Sequence, residues 1–226
     1  MKPKVKFSLG KKLTLLIILL SVTLSLVAIL VSYRIFSSTM TDYYVRLGTN
    51  LVRTLASQLD ADELEHYYAT GEVDEAYYVT QDFIRDMAEN NDVEYLYVVR
   101  PHGTGVTFLF DSDMDVDTDG SYSEGGYCAL GSYVELVGDF ANNLDNLLAG
   151  RPVEPIIQWD ESYGWLMTAM TPVLHSDGSM AGYVMADISM NEVMNTQRDF
   201  LLMLAALLAA LTIAFILLFL FVTRKH

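Results

Sequence analysis

Between Leu13 and Arg224 the sequence contains no lysine, and the whole chain of 226 residues contains a single cysteine. The lone Cys128 excludes an intramolecular disulfide, so any domain here must be held by its own core. Also missing are a nucleophile elbow, a glycine-rich phosphate loop and any catalytic motif around Cys128. An enzyme would have to work through carboxylates that spacing does not pair, and none is expected. The four histidines, His66, His102, His175 and His226, stand in separate segments without metal-ligand spacing and read as surface residues. No metal or cofactor is expected.

Charge is absent from two long runs, 21 positions from Leu13 to Tyr33 and 23 from Phe200 to Val222. Each is long enough to cross about 30 Å of hydrocarbon as a helix. A soluble core helix is shorter and keeps a polar face. The first run exceeds the roughly 7 to 15 apolar residues of a signal peptide, and no A-x-A-like site follows, so it is predicted to be an uncleaved anchor.

What charge there is partitions by segment. Lys2, Lys4, Lys6, Lys11 and Lys12 precede the first run, and Arg224 and Lys225 follow the second. The positive-inside rule therefore places both ends in the cytoplasm and the centre outside it. The organisation predicted is a basic end over 1–12, membrane helices over 13–33 and 200–222, an extracytoplasmic domain over 34–199 and a cytoplasmic end over 223–226. The central segment holds seven arginines against all 29 acidic residues, a net of −22, and the ends bring the chain to −15. Such a field disfavours nucleic acid and anionic lipid surfaces as partners of the domain.

Apolar side chains at Met40, Tyr44, Leu47, Leu51, Leu55 and Leu59 recur in steps of three and four, which predicts a helix running on from the first span to about Asp60. A short helix through Tyr68 breaks at Thr70-Gly71, and an amphipathic helix follows from about Asp74 to Asn90. Then the period becomes extended. Residues 93–100, 106–111, 165–174 and 181–189 read as strands in two hairpins, with turns at Pro101-His102-Gly103 and Ser176-Asp177-Gly178. Between the hairpins, Tyr133 to Leu148 reads as one helix. The fold class expected is α+β, a helical arm followed by an antiparallel sheet.

The strings NNDVEYLYVVRPHGTGVTFLFDSD and DESYGWLMTAMTPVLHSDGSMAGYVMADIS, together with the long juxtamembrane helix, resemble a single Cache domain, the PAS-like extracellular sensor of bacterial signalling receptors. The resemblance covers about Met40 to Arg198. It implies a small-molecule sensor, and a cytoplasmic output module such as a histidine kinase, chemoreceptor signalling domain, diguanylate cyclase or phosphatase. The chain stops at His226, so the output is expected either in a longer receptor or in a separate partner.

Alternation along the last strand puts Tyr183, Met185 and Asp187 on one face and Val184, Ala186 and Ile188 on the other. The aliphatic face suits packing on the long helix. An acid on the opposite face is costly to bury without a cationic partner. In Cache domains resembling this one, the matching aspartate often receives the amino group or another donor of a small ligand, which makes an amine or amino acid the class expected. The alternative is a strand-end cap or an ion pair with Arg100 or Arg151. Tyr97, Asp111, Trp165 and Thr168 lie on strands around the same expected cavity and complete the candidate ligand set.

The loop DSDMDVDTDGSYSEGG fits the first half of a calcium loop at Asp115, Asp117, Asp119 and Gly120. The twelfth position is Gly126, however, and Glu124 comes two residues early, so a solvated acidic loop is the better reading. Ala205 with Ala209 and Ala206 with Ala210 permit close approach of membrane helices, and with the juxtamembrane stripe they predict a homodimer. The main rival to a sensor is a two-span accessory subunit whose outer domain docks a protein partner. A membrane-anchored hydrolase is the third reading.

Overall fold

The computed structural model describes residues 9–91, 93–113, 129–161 and 163–224. The calcium-like stretch from Asp115 to Gly126, Cys128 and His226 lie outside them.

The helical rhythm becomes one helix, α1 (Leu9–Ala56), continuous from the apolar run to the stripe beyond it. Asp60 opens α2 (Ala61–Thr70) by accepting the Asp62 amide at 2.8 Å, and Gly71 closes it at φ 65°, a left-handed value that glycine adopts without strain. Asp74 opens α3 (Glu75–Asn90) by accepting the Tyr77 amide at 2.9 Å. The strands β1 (Tyr95–His102) and β2 (Gly105–Asp111) form the first hairpin, and β5 (Gly164–Leu174) and β6 (Met180–Ser189) the second. Met190 alone separates β6 from α6 (Asn191–Arg224).

The connection between the hairpins differs from the single helix expected over Tyr133–Leu148. Tyr133–Glu135 is a strand, β3, on the edge beside β2, and Gly138 at φ 58° breaks the chain before two short helices, α4 (Gly138–Asn142) and α5 (Leu144–Leu148). A side chain at Gly105 would meet the Val134 carbonyl oxygen, so the bare glycine is what lets β3 lie there. A fourth unexpected element, β4 (Ile156–Asp160), pairs with β5 on the other edge. Its alternation is hidden because Ile157 and Gln158 are both half-buried and two prolines precede it.

All six strands are antiparallel, in the order β3-β2-β1-β6-β5-β4. The central pair β1–β6 joins the two halves, and each face of the sheet carries its own core. On one face Leu51, Val52 and Leu55 of α1, Leu64 and Tyr67 of α2 and Tyr77 and Ile84 of α3 are buried with Leu96, Val98, Phe110, Ala186 and Ile188. Gly48 brings α1 close: a Cβ there would stand 3.0 Å from Ala169 Cβ and 3.1 Å from Ile188 Cδ1. The other face buries Val99, Val106, Ile156, Met170, Tyr183 and Met185 with Leu147 and Val153.

Residues Asp42–Asn191 form one unit and the flanking segments a second. In the second, α1 and α6 meet through stacked rings of Phe36 and Phe200 at 4.4 Å, Ser37 Oγ donating to Gln197 Oε1 at 3.2 Å, and Ser25 against Thr212 at 3.2 Å. Both helices are long and apolar enough to cross a membrane, and leucines such as Leu15, Leu19, Leu202 and Leu207 are exposed on them.

Candidate functional site

The face away from α1 carries Tyr97, Thr168 and Asp187. β6 and β1 run in register with Tyr95 opposite Asp187 and Tyr97 opposite Met185, while β5 sets Thr168 opposite Asp187. Cross-strand partners share a face, so Tyr97, Thr168 and Asp187 converge. The Thr168 hydroxyl donates to Asp187 Oδ1 at 2.5 Å, and the Tyr97 hydroxyl donates to the same oxygen at 3.4 Å.

Asp111 joins them through a bulge. Tyr97 pairs with Asp111 but Val99 pairs with Phe108, and the register shift between Val98 and Val99 brings both Phe108 and Asp111 to this side. Asp111 is buried, its carbonyl accepts from Gln81 Nε2 at 2.5 Å, and its Oδ1 accepts the Asp113 amide at 3.1 Å.

Asp187 is half-buried by its accessible surface, yet protein atoms crowd around its carboxyl group. That crowding raises its pKa from 3.8 to about 6; the Thr168 and Tyr97 donors pull it down, and the carboxylates of Asp111 and Asp160 push it up further. The ion pair with Arg100 or Arg151 that the sequence left open does not form. Arg100 is held elsewhere, donating to Glu65 Oε2 at 2.7 Å and to the Ala181 carbonyl at 2.6 Å and lying over the Tyr68 ring. Arg151 is exposed, and among the described residues no basic side chain comes within 4 Å of Asp187.

Trp165 does not belong to this set. It precedes Thr168 by three residues, an odd number, so strand alternation turns it to the opposite face. There its ring meets Trp159 edge-on at 5.8 Å, and its amide donates to Asn191 Oδ1 at 2.9 Å. Of the histidines within the described residues, His66 is exposed, His175 Nδ1 lies 2.9 Å from Asp62 Oδ1, and His102 Nε2 lies 2.7 Å from Thr107 Oγ1. No cluster of metal-ligating side chains occurs among the described residues.

Next to Tyr97 opens an apolar pocket of about 170 Å³, lined by Tyr97, Phe108, Leu136, Val137, Phe140 and Met185, with Val106, Val134 and Glu135. Alternation along β6 points to Met185, and Tyr97 was a candidate from its strand; periodicity points to none of the others. Phe108 reaches the pocket only because of the bulge, and Leu136, Val137 and Phe140 belong to the stretch where a single helix was expected.

Neither a family model nor a curated protein matches the sequence. Among solved structures, the sensor domain of the Vibrio cholerae histidine kinase DctB is similar with a TM-score of 0.50 at 10% identity, covering 71% of this chain and 54% of that one. The sensory domain of the Campylobacter jejuni chemoreceptor Tlp3 (CcmL) gives a TM-score of 0.42 at 11% identity over 72% and 60% of the two chains. The same domain with isoleucine bound gives 0.41 at 11% identity over 73% and 59%. This chain thus spans little more than half the length of the DctB sensor domain. The DctB likeness is one of fold alone.

Proposed function

We propose that the protein is a membrane-anchored sensor of an extracellular small molecule, the input module of a signalling receptor. The observation that carries this reading is Asp187, a crowded carboxylate with two neutral donors and no basic partner among the described residues, set beside a preformed pocket. A carboxylate kept in that state is unfavourable for folding alone. It becomes favourable when a ligand brings a positive charge or further donors. The ligand class that fits is a small cation or donor-bearing molecule, and the candidate contacts are Tyr97, Asp111, Thr168 and Asp187.

Anchoring is supported by the two long apolar helices and by the lysines confined to the chain's ends, which favour cytoplasmic termini with the central domain outside. Transmission is supported by the junction of β6 and α6. The Met190 amide donates to the Trp165 carbonyl at 2.7 Å, and Asn191 accepts the Trp165 amide while donating to the Tyr163 carbonyl at 2.8 Å. Movement of Asp187 therefore has four residues in which to reach α6, provided the ligand binds two states of the domain unequally. The output lies in a longer chain or in a separate partner, and a homodimer is the form in which such an input would act.

The test is a thermal-shift screen of the full-length chain in nanodiscs against amino acids, amines and organic acids. A ligand that raises the Tm of the wild type but not of Asp187→Asn is the expected result. If no small molecule shifts the melt and a protein partner binds the outer domain instead, the accessory-subunit reading replaces this one.

A further inference from the structure

If Asp187 receives a ligand, as proposed above, its surroundings also limit what else that ligand can carry. Met185 and Asp187 lie two residues apart on one face of β6, so a group held at Asp187 stands about 7 Å from the pocket that Met185 lines. The pocket is walled by Tyr97, Phe108, Leu136, Val137 and Phe140, and its volume of about 170 Å³ is on the scale of cavities that accept a benzene ring. Among the described residues Glu135 is the one charged residue on its lining, and its Oε1 accepts from Thr104 Oγ1 at 3.3 Å. One end of the site therefore suits a cation and the other an apolar tail.

Among the described residues, no basic side chain lines the pocket. From Gly103 to Gly150 the sequence contains no lysine, arginine or histidine, and this is the stretch that supplies β2, β3, α4 and α5 around the pocket. On the remaining strands, Arg100 is engaged by Glu65. Arg151 is tied by its carbonyl to the Tyr183 hydroxyl, four residues and about 13 Å along β6 from Asp187. The ammonium and carboxylate of an amino acid share one carbon, so its carboxylate would lie beside Asp187 and Asp111 with no countercharge.

We infer that the site takes a small primary amine with a compact apolar tail and no carboxylate, and that it rejects the matching amino acid. The tail enters the pocket beside Tyr97, and the ammonium group meets Asp187.

Matched pairs test this by calorimetry on the full-length chain in detergent: phenethylamine against phenylalanine, and 3-methylbutylamine against leucine, with 3-phenylpropanoate as the acid that lacks an amine. Each amine should bind at least about 30-fold more tightly than its amino acid, since uncompensated like charge is strongly disfavoured. Asp187→Asn should abolish amine binding. Val137→Trp, at an exposed position on the pocket's lining, should weaken phenethylamine about 10-fold or more while leaving the core intact. Amino acids that bind as well as the amines overturn the inference and leave the sensor reading standing. Binding of 3-phenylpropanoate, or amine binding unchanged in both variants, overturns the inference together with the role of Asp187. Should none of these probes bind and the wider screen also find nothing, the sensor reading falls with it.

Discussion

Asp187 is the residue at which folding and binding make opposite demands. Its folded pKa of about 6 lies above the 3.8 of an ordinary aspartate, so the folded chain holds a proton that the unfolded chain releases. Stability from this group is therefore fully present below about pH 4 and lost as pH rises through about 6. Asp187→Asn is neutral throughout, so the difference between variant and wild type isolates this one titration. Without ligand, the variant should gain about 2 to 3 kcal/mol on the wild type between pH 4 and pH 7.5. Denaturant melts of both proteins at the two pH values measure it. A variant that loses ground at pH 7.5 would mean that Asp187 satisfies a cation in the folded state.

Among the elements, α1 and β6 set how the sheet is held. At Gly48 the helix lies close against the sheet, where a Cβ would already press on Ala169, Ile188 and the Met167 Cε at 3.2 Å. Gly48→Leu should cost about 1 to 3 kcal/mol through overpacking, read as a lower denaturation midpoint. Gly48→Ala should be closer to neutral, because alanine's better helix propensity offsets part of the crowding. At the other end of the sheet, Asn191 ties the start of α6 to β5 through Trp165 and Tyr163. Asn191→Ala should leave ligand affinity within about twofold while raising amide exchange at Gly164 and Trp165 and cutting the ligand's effect on exchange across Met190–Val193. Undiminished transfer to α6 in that variant would place the coupling elsewhere.

For the whole molecule, the prediction is one of topology. In a Cys128→Ser background, Ser176→Cys in the exposed turn between β5 and β6 should react with a membrane-impermeant maleimide on intact cells. A reporter fused at residue 226 should be active in the cytoplasm. Labelling of Ser176→Cys only after lysis would reverse the orientation.

Periodicity and charge alone determined the long arm, the two hairpins and the aliphatic face of β6, because those patterns repeat over enough residues to be read locally. The caps at Asp60 and Asp74 and the turn at Asp177-Gly178 are equally local. Tertiary structure alone decided the rest. β3 and β4 are edge strands of three and five residues whose existence depends on a neighbour, on the bare Cα of Gly105 for one and on the register of β5 for the other. The bulge opposite Val98 and Val99 chose which β2 side chains reach the site, and the parity of β5 sent Trp165 away from it. Above all, a sequence shows an aspartate but not its neighbours: that Arg100 is spent on Glu65, and that Asp187 is left with Thr168 and Tyr97, follows from pairings between residues 19 to 90 positions apart, which no local pattern records.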